Sequence, residues 1–327
     1  MRFVPSVLFQ EKYGSLSATG CAKESIYGTP VAATSFVPAT ENTFTSDPGF
    51  FSPEVMQALR DAQIYKLYGE EKDIGAITAP MFPTNGIQYL VYAIGTDVVS
   101  GTTAPYTHTI SEANVLSSLT VEKNIGNSQS LQFAGARVGK YSVKAATGNT
   151  AAEFTADLVA QSVAILDTPT TVQVVNEEPF VFAEYTLTSG GQTVAQATNF
   201  QLDIDNGLKE TYTFNQSHEL QFLTPTINKV SGTFDVVFDS LDATPYDFFT
   251  QMKNGTEGAL SFTMAHPASG GSIVFNLPRV ALSKTNQETK AGAVVMEVIN
   301  FEGLYNLGNT PLETIGVVIS NGLATAY

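Results

Sequence analysis

Short runs in which apolar and polar residues alternate recur along most of this chain, and they constrain its fold more than any other feature. They fall at residues 118–122, 133–143, 153–159, 183–188, 200–204, 232–238, 260–264, 273–275 and 294–299. A period of two sends successive side chains to opposite faces of a strand, so each run predicts a half-buried strand of an antiparallel sheet. The breaks carry turn chemistry: Gly148-Asn149, Ser189-Gly190-Gly191, Asn206-Gly207, Asn254-Gly255 and Gly270-Gly271. Two of them, at 189–191 and 270–271, sit between strand-like runs and predict hairpin tips. Helical signals are few. Residues 53–68 follow Ser52 as a candidate cap with Pro53 in the first turn, residues 85–94 close on Gly95, and residues 244–252 open with Thr244-Pro245.

The order of these elements repeats. In the first half it runs strand (73–81), helix (85–94), then strands at 118–122, 130–144 and 151–159. In the second it runs strand (229–238), helix (244–252), then strands at 260–264, 272–284 and 292–299. The fourth elements match in letters. Ser130-Leu131-Gln132-Phe133, three residues and Arg137-Val138 recur as Ser272-Ile273-Val274-Phe275, three residues and Arg279-Val280, an offset of 272 − 130 = 142 residues. The expected organisation is an N-terminal arm (1–40), a first β repeat (41–170) with a long excursion at 41–72, a second β repeat (171–302) and a C-terminal tail (303–327). Each repeat would be a small sandwich or half-barrel with a short helix on one side. Excursions as long as 41–71 inside β proteins usually bind partners.

Charge narrows the function. Thirty-one acidic residues against 16 basic ones give a net charge of −15 over 327 residues, which opposes gripping nucleic acid or an anionic membrane through the overall field. The longest apolar stretches fall well short of about 18 residues, and the N-terminus reads as an arm rather than a signal peptide. The expected compartment is a cytoplasm. The single cysteine, Cys21, rules out an internal disulfide and reads as a passive thiol in the arm.

Enzyme constellations are missing one by one. His108 lies in a strand-like alternation and reads as a surface or interface strand residue. His218 sits in a polar loop, and His266 precedes Pro267 at a hairpin end. None has metal-ligand spacing. The sequence contains neither a Gly-x-Ser-x-Gly elbow nor a Walker-type loop. Asp203-Ile204-Asp205 puts two carboxylates on one strand face, but a chain with no tryptophan lacks the aromatic platform of a sugar cleft. Asp235, Asp239 and Asp242 do not have calcium-loop spacing. A repeated β protein with arms and no catalytic site suits self-assembly.

At this point a family resemblance emerges. Tyr27-Gly28-Thr29-Pro30-Val31-Ala32-Ala33-Thr34 comes first. It is followed by the Pro/Gly-bounded helix at 80–95 and by Tyr106-Thr107-His108-Thr109-Ile110. Next come Leu119-Thr120-Val121-Glu122 and Phe133-Ala134-Gly135-Ala136-Arg137-Val138, and last the strand from Phe200 to Asn206-Gly207-Leu208. In this order, over roughly residues 24–305, the series resembles the tail tube proteins of long-tailed bacteriophages. The resemblance implies a mainly β fold and a virion protein of the tail. It implies no catalytic, cofactor or metal residues and no cofactor.

The resemblance also implies rings whose inner strands join between subunits, stacked into a conduit through which DNA leaves the capsid. Its partners would be further copies of the chain and the tail terminator, tape measure and tail-tip proteins. Because the family's usual ring has six single-domain subunits, two repeats per chain favour a trimeric, pseudo-sixfold ring over a hexamer. Assembly would take place in the host cytoplasm, with segments 1–40, 41–71 and 303–327 interlocking rings. A conduit wall must not hold the polyanion moving through it, so some of Glu122, Asp203, Asp205 and Asp235 are candidates to face the bore. A solvated outer face is the alternative for all four. The alternative for the whole chain is a non-catalytic β-sandwich that binds a receptor or surface, with Gly49-Phe50-Phe51 as an aromatic loop tip.

Overall fold

The computed structural model describes residues 11–327 apart from 57–59, 61–63, 241–246, 268–269 and 309. The first half contains β1 (Ala18–Lys23), β2 (Ser35–Val37), β3 (Glu41–Asn42), β4 (Thr45–Asp47), β5 (Lys72–Pro80), α1 (Ile87–Ile94), β6 (Gly95–Ser100), β7 (Tyr106–Glu112), β8 (Leu119–Ile125), β9 (Gln129–Ala146), β10 (Glu153–Ala160) and β11 (Ser162–Leu166). The second contains β12 (Tyr185–Ser189), β13 (Gln192–Thr193), β14 (Ala197–Asp205), β15 (Lys209–Thr211), β16 (Phe222–Thr224), β17 (Lys229–Val237), α2 (Phe248–Asn254), β18 (Glu257–Ala265), β19 (Ser272–Glu288), β20 (Met296–Gly303) and β21 (Gly316–Asn321). The fold is mainly β and antiparallel, as the alternation predicts.

The two longest strands each serve two sheets. Residues 129–136 of β9 pair with β8 and β11, while residues 137–146 pair with β10 and β14. In β19, residues 272–281 pair with β18 and residues 280–288 with β20. The halves therefore share one pairing order. In the first half β5 pairs with β10, β10 with β9 and β9 with β8; in the second β17 pairs with β20, β20 with β19 and β19 with β18. A helix follows the first strand in each case. α1 runs without a break into β6 through Gly95, at φ 155°, and α2 closes on Gly255 in the left-handed region.

The halves are joined edge to edge. β14 lies between β9 and β17, giving one long sheet in the order β3/β4, β5, β10, β9, β14, β17, β20, β19. Its core side is apolar and sealed: Phe44, Tyr141, Phe154, Leu202, Phe234, Phe301 and their neighbours are buried. The Tyr89 ring of α1 packs on Phe154, and the Phe248 ring of α2 packs on Phe234. At the joint, buried Asn206 donates from Nδ2 to the carbonyls of Ala93 and Val138 at 2.9 and 3.0 Å. One side chain thus ties the end of α1, β9 and the turn after β14 together.

Several expectations change. The described parts of 53–68 are not helical: Phe51 bridges to Leu67, closing the excursion as a loop, while 57–59 and 61–63 lie outside the described residues. A cap signal such as Ser52 does not by itself hold a helix, since most helical stability comes from tertiary packing of an apolar face. The second helix begins at Phe248, capped by Asp247, with Thr244 and Pro245 outside the described residues. The arm contributes β1 and β2, paired to each other and to β8. The tail contributes β21, inserted between β19 and β7. The hairpin tips at 189–191 and 270–271 stand where expected.

Candidate functional site: one polar sheet face shared by both halves

Directly opposed residues of an antiparallel pair share a face, so the registers define the solvent side of the long sheet. One row runs Ala76, Asp157, Lys140, Asp205, Lys229 across β5, β10, β9, β14 and β17. Across the whole face stand nine carboxylates: Glu41, Asp47, Glu153, Asp157, Asp203, Asp205, Asp235, Glu288 and Glu302. Five lysines stand among them: Lys72, Lys140, Lys144, Lys229 and Lys284. Arg137, opposite Val159 of β10, stands on the same face, so the excess is 9 − 6 = 3 negative charges per chain, on a face that is mixed rather than uniformly acidic.

The structure brings three of the four sequence candidates together. Asp203 and Asp205 on β14 and Asp235 on β17 share this face. Asp203 accepts from the Ser142 hydroxyl and from Gln201 Nε2, and lies 3.4 Å from Lys140 Nζ. Asp235 accepts from Asn199 Nδ2 at 3.1 Å. Lys140 stands between Asp157 and Asp203. Burial pushes the Asp157 carboxyl up, Lys140 pulls it down and the Asp203 charge pushes it up again.

Glu122 does not join them. It is buried on β8, in the sheet of β1, β8 and the first part of β9, and accepts from the Ser130 hydroxyl and the Thr170 amide at 2.8 Å each. Alternation alone cannot tell which of two sheets a strand enters. The lysines were missed for a related reason: Lys140 and Lys144 lie at even spacing within or beside one run, but only the register places them opposite carboxylates.

The remaining candidates are structural. His108 is buried, not at a surface. Its Nδ1 donates to Asp97 Oδ2 at 2.9 Å and its Nε2 faces the Leu323 carbonyl at 3.0 Å. His218 packs edge-on against Tyr68 in an exposed loop and contacts the Gly69 carbonyl, and His266 lies 3.3 Å from Glu184. Cys21 sits in β1, not in a free arm, and burial pushes its thiol up to about 12, so the thiolate nucleophile does not form near neutrality. Glu24, not singled out by the sequence, is buried. It accepts from the Gly28 and Gly135 amides and the Ser118 and Thr120 hydroxyls at 2.7–3.0 Å, anchoring the Tyr27–Thr34 motif against β8 and β9.

A family whose model is described as "phage tail tube protein" matches residues 14–303, most of the chain. The chain belongs to the phage tail tube protein family. No curated protein sequence matches it. As a tail tube protein it is a structural component of the virion tail, assembling with itself and other tail proteins into a tube, in a family that is generally non-enzymatic. The long sheet has one polar face, and at its two ends residues 41–47 and 284–288 each pair on one side only among the described residues.

Proposed function

We propose that the polar face of the long sheet lines the bore of the tail tube and that the protein has no catalytic role. The observation that carries this is the sheet itself. One face is core, the other is solvated along its whole width, and that face spans both halves with three more carboxylates than basic side chains. Asp203, Asp205 and Asp235 are then bore-facing groups. The interspersed lysines keep the wall from being strongly charged, while the net excess still repels a DNA backbone carrying about one negative charge per 1.7 Å. DNA slides through on a hydrated surface without specific binding.

The two halves act as two tail-tube units, divided near residue 170. Three chains then make a pseudo-sixfold ring, with six copies as the alternative. Rings stack chiefly through the part of the 41–71 excursion after Asp47, since β1, β2 and β21 tie most of the described arm and tail into the chain's own sheets. The excursion supports this by its exposed apolar side chains, among them Phe50, Phe51, Tyr65, Leu67 and a fully exposed Met56, which a solvated loop has no reason to carry together. The terminator, tape measure and tip proteins complete the tail, and assembly takes place in the host cytoplasm.

Electron cryomicroscopy of the purified protein tests this reading. Tubes with these three aspartates on the inner wall and threefold averaging of the rings are expected. Tubes whose inner wall is formed by another sheet would overturn the assignment of the face, and a soluble monomer at every concentration would overturn the reading itself.

A further inference from the structure

We propose that copies of this chain join head to tail through one defined strand pair. Residues 41–47 of one copy add to the free edge of β19 in the next, in the register that sets Asp47 opposite Lys284. The proposal rests on the tail-tube reading and gives it an address.

The template lies inside the chain. β5 and β17 occupy equivalent places, each beginning with lysine and carrying glycine three residues on: Lys72 and Gly75, Lys229 and Gly232. Gly75 pairs with Leu158 of β10, and Gly232 with Phe301 of β20. Against β5 lie residues 41–47 in one continuous register, with Asp47 opposite Lys72. Against β17 lies β14, with Asp205 opposite Lys229. Residues 41–47 are therefore the first half's counterpart of β14. The buried residues agree, since Phe44 and Leu202 take the same position three residues before their aspartates and both have no exposed surface.

β14 does something its counterpart does not. Its second edge pairs with β9, placing Asp205 opposite Lys140. The place of Lys140 in the second half is held by Lys284. Lys140 is opposite Asp157 next to Ala76, and Lys284 is opposite Asn300 next to Thr233. Residues 284–288 pair with β20 alone among the described residues, and residues 41–47 pair with β5 alone. Each half thus leaves open the edge that the other half shows how to close. Unpaired edges template strand addition, and a head-to-tail contact between unlike edges generates rings. The charges match as they do within the chain, aspartate against lysine.

The two outward main-chain groups of Phe44 are held in the single chain by side chains, its amide by Asn42 Oδ1 at 3.0 Å and its carbonyl by Lys123 Nζ at 2.8 Å. An incoming strand takes over these bonds.

Directly opposed antiparallel residues have Cα atoms about 4.5–5.5 Å apart, within disulfide range. The test is the full chain carrying D47C and K284C together, assembled and then oxidised; the buried native Cys21 does not compete. A ladder of covalent multimers on a denaturing gel is expected from assembled tubes, with little from a T45C/K284C chain, two residues out of register. A charge swap gives a second readout: D47K or K284D alone should lower tube yield at low salt at least several-fold, and D47K/K284D together should restore it. Tubes that form without the ladder, or that cross-link equally well through T45C/K284C, would overturn this seam and leave the tail-tube reading standing. Failure of the unmodified protein to form rings or tubes would overturn both.

Discussion

His108 Nδ1 donates to the Asp97 carboxylate across 2.9 Å, with both side chains sealed from solvent. The pair does not stand alone. Asp97 Oδ2 also accepts from the Tyr327 amide at 3.0 Å, and His108 Nε2 meets the Leu323 carbonyl. The ring therefore clamps the last residues of the chain against β6 and β7. Removing one partner of a buried hydrogen-bonded pair costs about 1–3 kcal/mol, because the polar group left behind is unsatisfied. His108→Ala is expected to destabilise the monomer by that order and to expose the tail after Asn321 to proteolysis. Asp97→Asn combined with His108→Ala should cost less than the sum of the single changes, as read in a double-mutant cycle of denaturant melts.

Glu24 makes a second prediction. Its two oxygens take two amides and two hydroxyls inside the protein. Glutamine in its place keeps one acceptor and turns a donor toward groups that are donating. Glu24→Gln is expected to cost about 2–4 kcal/mol, more than an ordinary surface change. Hydrogen exchange should show faster exchange at Gly28 and Gly135. Unchanged protection at both amides would remove the anchoring role.

Much of this was legible beforehand, and the limits have physical causes. Strands β9, β10, β14, β17 and β18 were readable because one face is core and the other wet, which writes a period of two into the letters. β1 and β21 were not. β21 lies in a tail broken by glycines, β1 follows an arm with no alternation, and both are held by pairing to distant strands. The repeat showed in Ser130–Val138 and Ser272–Val280, where both halves need the same core contacts. It did not show in 41–47 against 199–205, which share almost no letters; there the backbone register carries the equivalence. For the candidate site, Asp203, Asp205 and Asp235 could be read from alternation. The lysines facing them, and the burial of Glu122, depend on which strands become neighbours.

Asp73 supplies a pH prediction. It lies on β5, is 1% exposed, and burial raises its carboxyl from 3.8 to about 6; the Ser46 hydroxyl opposes the rise, and Glu71 and Glu219 add to it. A raised acid favours the neutral form in the fold. Its contribution is fully present below about pH 3.8 and is lost as pH climbs through about 6. A gap of two units sets a ceiling of about 3 kcal/mol. Asp73→Asn should therefore melt like the parent near pH 3.5 and be more stable than it at pH 7.5, by about 1–3 kcal/mol. A constant difference across that range would show that Asp73 does not titrate in this way.

Gly75 and Gly232 test the equivalence of the two halves. A Cβ on Gly75 would collide with the backbone of Phe44 in the strand beside it, and one on Gly232 with the carbonyl oxygen of Gln201 on β14. Both clashes are with main chain, which cannot rotate away, so relief requires the neighbouring strand to move. Overpacking of this kind costs about 1–3 kcal/mol. Gly75→Ala and Gly232→Ala are each expected to destabilise the monomer by that order, and the double variant by close to the sum, since the sites share no partner. Gly75→Ala has a second expected effect: by displacing residues 41–47 it should suppress assembly at temperatures where the variant is still folded. Gly232→Ala displaces a strand already held on both sides by β9 and β17, so at matched stability it should assemble better. If Gly75→Ala neither destabilises the monomer nor impairs assembly, residues 41–47 do not lie on β5 as β14 lies on β17.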